Sequence, residues 1–493
     1  MALSRNALLA ALAAIALTGS RFVLTAIAAR RLSQADFGQF AYAIWLVDIA
    51  FLVCSLGATG AVGRYAAELR ADTPRLAAFM HHWRPWAAGL PLLAGLVAVV
   101  GAKFAGLPLD MTSLMLVALW AAVQGRWAMQ TAALTGGQRF DIILRANLLA
   151  GTLMIAGMLF LPVDTFGLPL MFALMVATGV VGALTGASQV RGLGVGTAAT
   201  LHPAQCRAIR RYALNIWLTA LLWALVWSRG EFPIVRVYLG DEGVAAYAAA
   251  MTLFGGAVQA VMLGVGGVAP QLTRFWGEGR VELALATARK VMDFQLLACG
   301  IAAMTLICFG PELMSLAFGE KYRAGAGALV LLGTGLIAMA LSTQNHVLQI
   351  ATDARFNRNT SILGLVVLLL LAFSLTPLLG LEGAAVARAS TMSLLATASV
   401  YALRRRWGRR AIPLQNLLVT LSICVVSACA TYAIQGQYLV ARGCIFITGF
   451  GVLITTLRHD DDSPIMADAA RWAISTLQVL RSRRRTQYDH HEP

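Results

Sequence analysis

The chain has 493 residues, of which 59% are hydrophobic and only 13% charged, and its mean hydropathy is +0.72. That balance excludes an ordinary soluble globular protein. A net charge of +16 would point to nucleic acid in a soluble chain; here it reads as arginine collected in cytoplasmic loops, and no nucleic-acid partner is expected.

Fourteen apolar stretches, each close to the roughly 20 residues that cross a bilayer, follow one another with little between them. The first covers 7–29. Arg5 precedes it as in a signal peptide, but the run is too long for a signal core and reads as an uncleaved first span. Spans two to seven cover 41–62, 86–102, 111–134, 142–161, 167–187 and 213–239. The remaining seven cover 244–268, 291–310, 325–351, 362–379, 383–403, 412–434 and 438–457. The expectation is an all-α polytopic membrane protein of about 14 transmembrane helices. Its outward loops, such as Asp241-Glu242-Gly243, are too short to host catalysis, so no enzyme activity and no cofactor are expected. The seven cysteines fall mostly inside spans without metal-ligand spacing and read as small apolar fillers.

Orientation follows from charge. With the N-terminus inside, 28 of the 39 Lys and Arg residues fall on the cytoplasmic side, 6 on the opposite side and 5 within spans. Both termini are therefore expected in the cytoplasm.

An internal repeat organises the spans. Arg31-Leu32-Ser33-Gln34-Ala35-Asp36-Phe37-Gly38 after span 1 is echoed by Arg236 to Gly243 after span 7, at an offset of 205. Arg139-Phe140 and Gly167 are echoed by Arg355-Phe356 and Gly383, at an offset of 216. Two duplicated six-helix lobes, 1–200 and 201–411, are expected, followed by two additional spans in 412–457 and a basic cytoplasmic tail, 458–493. Six spans per half keep the same orientation, so the repeat is parallel, a layout suited to alternating access.

Arg21-Phe22, the turn from Ala29-Arg30-Arg31-Leu32 to Asp36-Phe37-Gly38, and Gly57 to Arg64-Tyr65-Ala66-Ala67-Glu68 resemble polysaccharide-biosynthesis flippases. These belong to the multidrug/oligosaccharidyl-lipid/polysaccharide exporter superfamily. Phe318-Gly319-Glu320-Lys321-Tyr322 is similar to that family's external turn. The resemblance covers spans 1 to 12. It implies transport of an undecaprenyl-pyrophosphate-linked oligosaccharide across a bacterial inner membrane, with the pathway's polymerase and glycosyltransferases as partners. A drug or peptidoglycan-precursor exporter of the same superfamily is the alternative, with a membrane-embedded polymerase or ligase behind it.

Charges inside spans cost about 2.5–3.5 kcal/mol each on insertion scales and usually face a cavity. Arg21, Arg126 and Arg229 are the candidate substrate-binding cations. Gln344, Asn345 and His346, in the polar stretch of span 10, are candidates for the same cavity. Arginine suits a pyrophosphate because its planar fork binds phosphate oxygens in pairs and stays charged. The competing reading pairs Arg229 with Glu231. Arg388 and Arg236 are weaker cavity candidates, and Arg388 near Glu382 also reads as reaching toward the outer surface. Asp48 is a candidate ion-coupling carboxylate, whereas Asp293 reads as a solvated group near the cytoplasmic interface.

Other signals read as surface features. Asp460-Asp461-Asp462 is a solvated tail. His81-His82 and His490-His491 lack metal-site spacing. The arginines around Trp407 are an anchor on anionic lipid, and 465–480 has the pattern of an amphipathic surface helix.

Overall fold

A computed structural model of the chain describes residues 2–70, 72–161, 167–193, 202–263, 268–352, 355–408, 412–433 and 439–458. The acidic triplet, the expected surface helix and the final histidine pair lie outside them. The described residues form helices and no strand. In chain order these are α1 (Ala2–Arg31), α2 (Gln34–Ser55), α3 (Ala58–Glu68), α4 (Thr73–Phe104), α5 (Met111–Gly136), α6 (Phe140–Phe160), α7 (Leu168–Leu193), α8 (Pro203–Ala224) and α9 (Phe232–Leu263). Then come α10 (Val268–Gly277), α11 (Val281–Phe318), α12 (Ala326–Gly335), α13 (Ser342–Ala351), α14 (Arg355–Leu379), α15 (Leu381–Trp407), α16 (Leu414–Ala433) and α17 (Leu439–Arg458).

Ten stretches are long and apolar enough to cross a membrane, and one of them, Pro203–Met262, holds two of the expected spans. A shorter apolar helix, Leu439–Thr455, adds another. The two expected spans that fall short are α5 and α15. Both carry interior polar groups, Gln124, Arg126 and Gln130 in α5 and Arg388 in α15, which lower their hydropathy. The chain is a multi-span membrane protein.

Three expected spans are not single helices. The stretch 41–62 breaks after α2, where Leu56 and Gly57 both take left-handed backbone angles before α3 begins. The stretch 213–239 breaks between α8 and α9, where Leu225–Arg229 forms a π-turn. Pro233 explains the break: it has no N–H to offer the Arg229 carbonyl four residues back, and its ring crowds that carbonyl. Gly230 fits because a Cβ there would overlap the Leu225 carbonyl. The stretch 325–351 narrows to a 3₁₀ turn, Leu336–Leu341, between α12 and α13.

The chain packs as two compact units. The first comprises Met1–Leu263, Gly310–Leu332 and Arg355–Met392; the second comprises Gly264–Phe309, Gly333–Ala354 and Ser393–Pro493. Lipid gives helices no hydrophobic reason to associate, so close contact between small residues has to hold them. The first unit follows that rule. Val244 to Ala250 in α9 is buried at every position, and Gly182 and Gly186 of α7 lie under the Trp127 ring of α5. Phe79, Trp83, Met129, Ala133, Ile209 and Ala213 form a further core that joins α4, α5 and α8. In the second unit, Leu272, Ala284, Ala288 and Val347 tie together α10, α11 and α13. Gly300 of α11 there faces Leu453 of α17 and Thr420 of α16.

Candidate functional site

Within the first unit the turns expected on the outer side are bonded to one another. Ser33 caps α2 by accepting a hydrogen bond from the Asp36 N–H at 3.0 Å. α9 bends at Gly240, and a Cβ on Gly38 would overlap the Asp241 carbonyl, so the two echoed turns touch. Arg236 donates through Nε to Asp241 Oδ1 at 2.7 Å and through its other nitrogens to the Ala105 and Gly106 carbonyls. Tyr322 donates to the Ala29 carbonyl at 3.1 Å, and Lys321 to the Leu32 carbonyl at 2.6 Å. Arg30 donates to the Leu316 and Ala317 carbonyls. Arg236, a weaker cavity candidate from sequence, is thus spent on a structural contact.

Deeper in the same unit the π-turn places Arg229 beside Asp48. Asp48 is exposed, and the charges of Arg21 and Arg229 both act on it. The structure therefore brings Arg21, Asp48 and Arg229 together from α1, α2 and the α8–α9 break. The Arg229 guanidinium lies 5.2 Å from the centre of the Phe232 ring. None of the three makes a hydrogen bond or a close ion pair through its side chain with another described residue. Arg126 stands apart, because it is not among the charges acting on Asp48. It is exposed on α5, on the same helix face as exposed Met115 and Leu119.

Glu231 is not the partner of Arg229. Its carboxylate is gripped by Arg388 of α15, with Nε to Oε1 at 2.6 Å and Nη2 to Oε2. Tyr247 donates to Oε1 at 2.6 Å. Arg388 and Glu231 are 1% and 0% exposed, so Arg388 neither lines a cavity nor reaches toward the surface. Sequence reasoning missed this pair because its members lie 157 positions apart.

The second unit holds Gln344, Asn345 and His346. Gln344 is buried and donates to the Ala288 carbonyl at 2.8 Å, while its Oε1 and the Asn345 Oδ1 lack a hydrogen-bond partner. His346 meets Thr273 at 3.2 Å. Gln295 ties α11 to α13 through Ser342 at 2.6 Å and Thr343 at 2.7 Å. Asp293, expected to be solvated, is instead buried and accepts from Asn416 of α16 at 3.2 Å. Among the described residues no cluster of His, Cys, Asp and Glu has the makings of a metal site.

No protein-family model and no curated protein matches the sequence. Solved structures do match. One is a multidrug resistance MATE family transporter of the MOP superfamily in an inward-facing conformation, 15% identical, covering 79% of this chain and 94% of its own at a TM-score of 0.64. The fold is that of MOP superfamily transporters. The lipid II flippase MurJ, in an inward closed conformation, is 11% identical and covers 91% of this chain and 99% of its own, also at a TM-score of 0.64. A MOP superfamily transporter from Pyrococcus furiosus, described as having a binding pocket of reverse polarity, is 15% identical and covers 82% and 95% at a TM-score of 0.60.

Proposed function

We propose that this chain is a flippase that moves an undecaprenyl-pyrophosphate-linked oligosaccharide across the bacterial inner membrane by alternating access. The observation that carries the reading is the division among intramembrane arginines. Arg236 and Arg388 are paired within the protein, whereas Arg21, Arg126 and Arg229 make no hydrogen bond or close ion pair with another described residue. A guanidinium in a span is costly, and one left without a protein partner is placed for an anion from outside the chain. Two of the three, Arg21 and Arg229, also act together on the exposed Asp48 carboxylate. A pyrophosphate crossing the midplane needs fixed positive charge in place of its hydration, and paired N–H donors supply it. Under this reading Asp48 couples transport to an ion, and both termini are cytoplasmic.

Export of a peptidoglycan precursor is the second reading. The likeness to MurJ favours it, because that fold extends over 91% of this chain, against 79% for the multidrug transporter. Export of cationic drugs fits poorly with two arginines around one carboxylate.

The test is binding of undecaprenyl diphosphate and undecaprenol to the purified chain in nanodiscs, with and without a lipid II analogue as competitor. The proposal expects the diphosphate to bind at least about tenfold more tightly than the alcohol, as charge-assisted hydrogen bonds require. Equal affinity for the two would overturn it. Preferential capture of lipid II would select the second reading.

A further inference from the structure

The cluster that grips the π-turn has no direct place in the binding site, yet its geometry bears on it. Arg229 is the last residue of the turn Leu225–Arg229. Arg388 donates through Nη1 to the Val226 carbonyl at 3.2 Å, inside the turn, and through Nε and Nη2 to Glu231, just beyond it. One guanidinium from α15 therefore bridges the chain on both sides of Arg229. Tyr247, from the far part of α9, completes the grip on Glu231.

A π-turn holds one residue more than the α-helix would, and such turns persist where something outside the helix satisfies the displaced backbone groups. Val226 has that satisfaction in Arg388. Relaxing the turn to regular helix would rotate the following residue by about 100°, the step of one residue in a helix of 3.6 per turn. Arg229 would then swing away from Asp48.

We propose that Arg388, acting through Glu231 and Val226, is a positioning residue that holds the π-turn and so aims the Arg229 guanidinium at the substrate anion. This rests on the reading of Arg229 as a substrate-binding group. The three side chains of the cluster are fully buried, so Arg388 acts without touching substrate.

The experiment uses the full chain in nanodiscs. A double variant, Glu231→Gln with Arg388→Met, removes both buried charges together and leaves neither unpaired. Two readouts are taken. The first is affinity for undecaprenyl diphosphate in the parent, Arg229→Ala, the double variant and the triple variant. The double variant should weaken binding about tenfold or more, and the triple variant should bind no more weakly than Arg229→Ala alone. Losses that add in the triple variant would mean a general structural role and would overturn the proposal. The second readout needs no ligand. In a chain freed of its seven native cysteines, Arg229→Cys is labelled with a water-soluble methanethiosulfonate. Labelling should slow about tenfold in the double-variant background. An unchanged rate would refute positioning, whatever Arg229 binds. If Arg229→Ala binds normally while labelling still slows, the positioning stands and the substrate reading fails.

Discussion

Arg388 grips Glu231, two residues beyond Arg229, yet alanine at Arg229 and at Arg388 should cause different kinds of damage. Arg388→Ala strips the Glu231 carboxylate of two of its three donors and leaves it 0% exposed, with only the Tyr247 hydroxyl. Removing one partner of a buried pair costs about 3–5 kcal/mol, so the folded-to-unfolded ratio should fall by roughly two to four orders of magnitude. Arg229→Ala removes a side chain with no hydrogen bond or ion pair; its ring contact with Phe232 is the main loss. Stability should change by about 0.5 kcal/mol or less. Affinity for undecaprenyl diphosphate should drop by about 1.5–3 kcal/mol, the worth of hydrogen bonds to a charged group. Reversible SDS unfolding in mixed micelles gives the stabilities, and nanodisc binding the affinities. Similar stability losses at both positions would refute the reasoning, because Arg229 would then have a role in holding the fold. So would an Arg388→Ala chain as stable as the parent.

Arg126→Ala should abolish polymer export at normal membrane abundance, and Arg126→Lys should keep part of it; surface polysaccharide and immunoblots of membranes decide. Cysteines at Asp36 and Glu242, joined by a short bifunctional reagent, should lock the touching outer turns and stop transport, whereas transport with the link intact would exclude separation of those turns. A reporter fused after Arg410 should be cytoplasmic and one at Gly380 periplasmic; cytoplasmic signal at both would break the span count between them. Asp110 caps α5 and accepts the Ser113 N–H at 3.1 Å. The hydrogen bonds from Ser113 hold its carboxyl below the usual carboxylate range. That stabilisation is therefore present above the ordinary carboxylate pKa and fades as pH falls through the lower folded value. Asp110→Asn should flatten the acid limb of a pH–stability profile.

The helix class and most of the spans were legible because long apolar runs admit little else in a membrane, whereas α5 and α15, with their interior polar groups, fell short of that apolarity. The two echoed turns touch, although not in the register of the echo: Gly38 meets Asp241, whereas the offset of 205 matches Asp36 to Asp241. The break in the seventh span has a signal in the chain, Gly230 and Pro233 within Ser228-Arg229-Gly230-Glu231-Phe232-Pro233, but the flanking apolar residues carry hydropathy across it. What periodicity could not reach was the choice of partners. Glu231 stands two residues from Arg229, but adjacent positions on a helix point apart, and its cation comes from α15. Asp293 looked solvated because it opens a span, whereas α16 folds Asn416 over it. Arg21, Asp48 and Arg229 come together by tertiary packing.

Two cations at the turns expected on the outer side, Arg30 and Lys321, donate to main-chain carbonyl oxygens. A carbonyl cannot be protonated in the physiological range, and no substitution at its own position removes it. Acidification therefore cannot loosen these contacts as it would loosen carboxylate pairs. Sequence drift can erase them from the donor side alone. Under the proposed alternating access, parting of these turns returns both cations to water without leaving an orphaned charge behind, so these two contacts add no penalty for separating ions.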